Sequence, residues 1–158
     1  MNTSSVIEAT REQVECQERS GPVVVGVDSS ETAAAAAERA VAVAEKLGVG
    51  VHVVSGAPRR RSQVVYVGTD EFAIDGNRSE LALLDSMRQR LGSDRVTTSL
   101  ECDSPARSLC EVADRLDARL IVVGNRRVQS AGRVFGSIAG DVLRQAPCDV
   151  LVVNTNGD

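Results

Sequence analysis

Histidine, lysine and aromatic residues are nearly absent from this 158-residue chain, and each scarcity removes a class of function. His52 is the only histidine, so no multi-histidine metal site can form. Any serine–histidine or cysteine–histidine relay would have to run through that one ring. Aromatics amount to 2% (Tyr66, Phe72 and Phe135, with no Trp), too few for a platform on which single-stranded bases stack. Lys46 is the only lysine. Cys16, Cys102, Cys110 and Cys148 are dispersed, with no C-x-x-C pair. That spacing disfavours a zinc cluster or a disulfide framework and reads as reduced thiols in a cytoplasmic protein. No apolar run approaches the ~18 residues of a membrane span, and the Met1 end has no apolar signal-peptide core.

What is present fits one soluble globular domain: 42% hydrophobic and 25% charged residues. Eighteen basic residues against 22 acidic ones leave a net charge of −4, which argues against nucleic acid as a partner. The chain alternates β and α signals. Pro22-Val23-Val24-Val25-Gly26-Val27-Asp28 is a continuous valine run, the pattern of a strand buried on both faces. Glu31 to Leu47 follows a helical period, with Ala33, Ala37, Ala40, Ala44 and Leu47 on one stripe and Gly48 at the stop. Val49 to Ser55 reads as a second strand. Asn77 to Leu91 reads as a helix with Leu81, Leu84, Met87 and Leu91 inward, and Val96 to Glu101 as a third strand.

Ser104-Pro105 opens the next helix, in which Leu109, Val112, Ala113 and Leu116 share a face. Leu120 to Gly124 is a fourth strand. A last helix from Gly136-Ser137 carries Ile138, Val142, Leu143 and Ala146, and Asp149 to Val153 is a fifth strand. Ala57 to Gly76 reads as an excursion with a short edge strand. Residues 1–20 form an N-terminal extension, with a capping box at Ser5-x-x-Glu8, ahead of a domain over 21–158. Repeated β-α units of about 30 residues imply a doubly wound α/β domain with a parallel sheet and helices on both faces.

In such sheets ligands bind beyond the carboxyl ends of the strands, where strand order switches. Two strand ends have suitable chemistry: Gly26 to Glu31, and the polar loop from Gly124-Asn125 to Gly136-Ser137-Ile138. The second ends at a helix N-terminus, whose free N–H groups suit an anion, and Arg126, Arg127 and Arg133 add local positive charge. G-x-x-x-x-G-K-[ST], G-x-G-x-x-G and G-x-S-x-G are all missing, so no P-loop, dinucleotide fingerprint or nucleophile elbow is available.

The segment Pro22 to Thr32 with its alanine-rich helix resembles the start of a universal stress protein domain. Leu120 to Asn125, Gly136-Ser137 and Ala146 to Val153 resemble its end. The resemblance implies a five-stranded parallel sheet in the order 3-2-1-4-5, a Rossmann-like fold of the adenine nucleotide α-hydrolase type. It also implies a homodimer made through the last strand, Asp149 to Val153, and a stress-response role. One subset of that family binds ATP through G-x2-G-x9-G-[ST] after the fourth strand. Gly124, Gly136 and Ser137 match it. Arg127 stands at the second glycine, and eight residues, not nine, separate it from Gly136. A left-handed backbone angle there would cost arginine about 1–2 kcal/mol, while its guanidinium offers a charge-assisted contact that glycine lacks.

By this resemblance the nucleotide-binding residues are Gly26, Val27, Asp28, Gly56, Gly124, Asn125, Arg127, Gly136, Ser137 and Ile138, with Asp28 on the ribose and Gly56 behind the adenine. Asp28 also has the spacing of a helix cap, and His52, Cys110 and Cys148 read as structural. The implied ligand is ATP, AMP or a cyclic nucleotide, with no catalytic residue and no metal. The competing expectation is a nucleotide-free homodimer that recognises a protein. A pyrophosphatase of the wider superfamily needs a Ser-Gly-Gly-type loop after the first strand, and Asp28-Ser29-Ser30 does not supply it.

Overall fold

A computed structural model describes residues 19–56, 63–67, 69–74, 77–92, 94–125 and 136–155. In chain order the elements are β1 (Val23–Gly26), α1 (Glu31–Leu47), β2 (Val51–Gly56), β3 (Gln63–Val67), β4 (Asp70–Ile74) and α2 (Arg78–Leu91). There follow β5 (Val96–Glu101), α3 (Pro105–Arg115), β6 (Leu120–Asn125), α4 (Ser137–Gln145) and β7 (Asp149–Asn154). Five strands form a parallel sheet in the order β5-β2-β1-β6-β7, which is 3-2-1-4-5 in the numbering of the main-sheet strands.

The valine run of β1 is continuous because the strand serves two cores. Val23 and Val25 pack with the alanines of α1 and with Leu84 and Met87 of α2, while Val24 faces Leu109, Val112 and Ala113 of α3 and Val142 of α4. All three valines are fully buried. α1 lies close to the sheet because its inward residues are alanines; Ala36, Ala37 and Ala40 have no accessible surface. Ser30 caps it, its hydroxyl accepting the Ala33 N–H at 3.2 Å. Gly48 ends it in the left-handed conformation (φ 69°), a position that favours glycine.

Three expectations need correction. Leu47 is partly exposed, being the last helical residue before the chain reverses at Gly48. Leu81 is 48% exposed, whereas Leu84 and Met87 are buried. The inward face of α2 centres on Leu84, Met87 and Leu91, and Leu81 lies roughly 100° around the helix from it. The excursion holds not one edge strand but an antiparallel pair, β3 and β4, which form their own two-stranded sheet. Acidic residues have low strand propensity, so Asp70-Glu71 hid β4, but pairing along the whole of β3 outweighs that preference. Residues 1–18, and with them the capping box of the N-terminal extension, lie outside the described residues.

Candidate functional site

The carboxyl ends of β1, β2 and β6 open into one cavity of about 370 Å³. This is where the strand order switches, since the chain leaves β1 toward β2 on one side and reaches β6 on the other. Of the residues singled out from the sequence, Gly26, Val27, Asp28, Gly56, Gly124 and Ile138 line the cavity. Asn125, Gly136 and Ser137 adjoin it at the β6–α4 junction without lining it, and Arg127 lies outside the described residues.

Each strand tip is held by a specific contact. The Val27 N–H donates to the Val54 carbonyl at 2.8 Å, tying the end of β1 to β2. Asp28 is not the helix cap; it braces the cap. Its Oδ1 accepts the Ser30 N–H at 2.9 Å and the Ser30 hydroxyl as well, fixing the loop that leads into α1. Asn125 ties the tip of β6 to α4, its side-chain Oδ1 accepting the Gly136 N–H at 3.2 Å. Among the described residues no side chain caps α4, which leaves the N–H groups of its first turn for another acceptor.

The glycines divide into two kinds. A Cβ on Gly26 would lie 2.9 Å from the Leu109 Cδ1, one on Gly56 2.9 Å from the Pro105 Cα, and one on Gly124 3.0 Å from the Thr32 carbonyl oxygen. Gly56 and Gly124 face backbone atoms of α3 and α1, which lie too close to the sheet for a side chain, whereas Gly26 faces only the end of the Leu109 side chain. Among the described residues a Cβ on Gly136 would meet nothing nearer than the Asn125 Oδ1 at 4.0 Å, and its φ of −61° suits any residue. The packing of the described residues therefore gives no reason for glycine at 136.

Sequence reasoning missed part of the wall. Ser55 lines the cavity from β2, Pro105 and Leu109 from α3, and Ser79, Glu80 and Leu83 from α2. The signal for α2 was present: Glu80 stands four and seven residues before Leu84 and Met87, a charge on the inward stripe.

Other titratable groups belong to the scaffold. The Nδ1 of His52 is 2.7 Å from the Thr97 hydroxyl and its Nε2 3.0 Å from that of Ser99, linking β2 to β5. Burial, aided by the nearby Arg115 guanidinium and partly offset by Glu101, holds its pKa below the ordinary value. Burial also raises the Cys110 and Cys148 thiols, so neither is an activated nucleophile. Among the described residues no group of three or more His, Cys, Asp or Glu could hold a metal ion.

Residues 20–154 match the sequence pattern of the universal stress protein family. The chain belongs to that family. A universal stress protein of Mycobacterium tuberculosis is 30% identical over 139 residues, covering 84% of this chain and 95% of its own length. Among solved structures, a universal stress protein in complex with cAMP superimposes with a TM-score of 0.68 at 27% identity, covering 86% of this chain and 98% of that one. A universal stress protein from Archaeoglobus fulgidus in complex with dAMP gives a TM-score of 0.59 at 26% identity, covering 86% and 99%. As a universal stress protein, the chain carries the family's Rossmann-like sheet, with a β3–β4 hairpin between β2 and α2. No helix among the described residues is long and apolar enough to cross a membrane.

Proposed function

We propose that the strand-tip cavity takes an adenine nucleotide (ATP, AMP or a cyclic nucleotide) as a regulatory ligand in the stress response, bound rather than turned over. The observation that carries this reading is the N-terminus of α4 beside the cavity, which among the described residues is neither capped by a side chain nor crowded at Gly136. A phosphate seated there meets first-turn amides at the positive end of the helix dipole. Asp28 spends Oδ1 on Ser30, which leaves Oδ2 to accept a ribose hydroxyl. Val54, Leu83, Pro105 and Leu109 supply an apolar slot for the base. A volume of about 370 Å³ lies at the small end of ligand pockets and suits a nucleoside with one phosphate. The cAMP and dAMP complexes of the two structural relatives support the same ligand class.

Occupancy would regulate by mass action: a ligand that binds only the folded state stabilises it by about 2.7 kcal/mol at a hundred times its Kd. The test is mass spectrometry of small molecules released on denaturing the purified protein, followed by calorimetric titration with ATP, AMP and cAMP. Gly136→Glu should remove the binding heat and leave the melting temperature of the nucleotide-free protein unchanged. No released nucleotide and no heat at millimolar ligand would overturn the reading in favour of a nucleotide-free module that recognises a protein.

A homodimer through β7 is part of the same proposal. Among the described strands none pairs with the outer edge of β7, and Val150 to Val153 are all partly exposed apolar residues. An uncharged apolar edge of this kind is an association surface unless something covers it.

A further inference from the structure

Helix α2 brings a carboxylate to the end of the cavity opposite α4. Because α2 packs on β5 and β2 while α4 packs on β6 and β7, the two helices flank the cavity from opposite sides of β1. Neighbouring strands lie about 4.8 Å apart, so the span from β6 to β2 is roughly 10 Å, the reach of a nucleoside monophosphate from phosphorus to the far edge of its base. Glu80 lies at the β2 end. It occupies the inward stripe one turn before Leu84, at a position where the helical period calls for an apolar residue. Leu83 and Ser79 line the cavity beside it, and the Ser79 hydroxyl donates to the Glu80 Oε2 at 2.7 Å, which orients the carboxylate.

We propose that Glu80 selects the base. Its carboxylate accepts a hydrogen bond from the exocyclic amine at position 6 of a purine and repels the keto oxygen that hypoxanthine or guanine carries there. The inference rests on the nucleotide reading of the cavity and adds a specificity residue to it. A carboxylate has acceptors only, whereas an amide has both donor and acceptor. Glu80→Gln therefore keeps an acceptor for the amine and gains a donor for the keto oxygen.

The experiment is calorimetric titration of the full chain, wild type and Glu80→Gln, with AMP and with IMP. Wild type should prefer AMP by about tenfold or more. Glu80→Gln should bind AMP a few-fold more weakly, because a neutral acceptor replaces a charged one, and bind IMP more tightly, closing the ratio to within about threefold. A gain of IMP binding cannot come from misfolding. AMP binding with a ratio that Glu80→Gln does not move, or a wild type that binds both nucleotides equally, overturns the role of Glu80 alone. A wild type that binds neither AMP nor IMP overturns this inference, and one that also gives no heat with ATP or cAMP overturns the nucleotide reading with it.

Discussion

Replacing Gly124 and Gly136 by alanine, one at a time, separates a glycine that the scaffold requires from one that it does not. At 124 the added methyl would sit 3.0 Å from both the carbonyl oxygen and the Cγ2 of Thr32 and 3.4 Å from the Ala36 Cβ. The carbonyl belongs to α1, so relief requires the helix to move away from β6. Overpacking of this kind costs about 1–3 kcal/mol. For a chain of this length each kcal/mol lowers the melting temperature by about 2–4 °C, so Gly124→Ala should melt about 2–12 °C lower. At 136 the nearest atom among the described residues is 4.0 Å away and φ is −61°, so the methyl meets no obstacle there. Alanine is a poorer N-cap than glycine, by a few tenths of a kcal/mol or more, and its stiffer unfolded chain returns about 0.4–1 kcal/mol. Gly136→Ala should therefore melt within about 2 °C of wild type. The assay is differential scanning calorimetry of nucleotide-free protein. If Gly136→Ala melts as low as Gly124→Ala, the glycine at 136 is structural, and the argument that links it to a ligand fails.

His52 and β7 supply two more expectations. The folded protein holds the His52 pKa below 6.5, so the unfolded chain takes up the proton first as pH falls. The stabilisation is complete above about pH 6.5 and is lost as pH drops toward the lowered folded value. Urea midpoints measured at about pH 7.5 and about pH 5.5 should fall less in His52→Gln than in wild type; an identical fall in both would show that His52 plays no part. For the dimer, light scattering should give twice the 16.7 kDa chain mass, and Leu151→Lys on β7 should return the monomer. A wild type of single-chain mass at high concentration would end the β7 proposal.

The sheet was legible because its signals are local. Val23-Val24-Val25 is continuous for a strand covered on both faces, Gly48 stops α1, and Ser104-Pro105 starts α3. The β3–β4 hairpin was not legible, since Asp70 and Glu71 oppose strand formation alone and only pairing with β3 decides the matter. Leu81 was misplaced because apolar spacing alone admits two overlapping faces on α2, and burial chooses between them. At the site, the tips of β1 and β6 carried signals of their own. The α2 and α3 walls did not, because Leu83, Pro105 and Leu109 are ordinary helix residues until the crossovers bring them over β2. Glu80 is the exception, a charge out of step with the residues that follow it.

The cavity wall is drawn from five stretches of chain far apart in sequence: the β1–α1 turn, the end of β2, the start of α2, the start of α3 and the β6–α4 junction. The β1–α1 turn supplies the largest share, but no single stretch closes it, so the pocket exists only while every crossover is docked at once. Loosening any one of them would empty it, and a small molecule held there would fasten them all like a shared latch. Whatever senses the filled state thereby learns that the whole domain is intact.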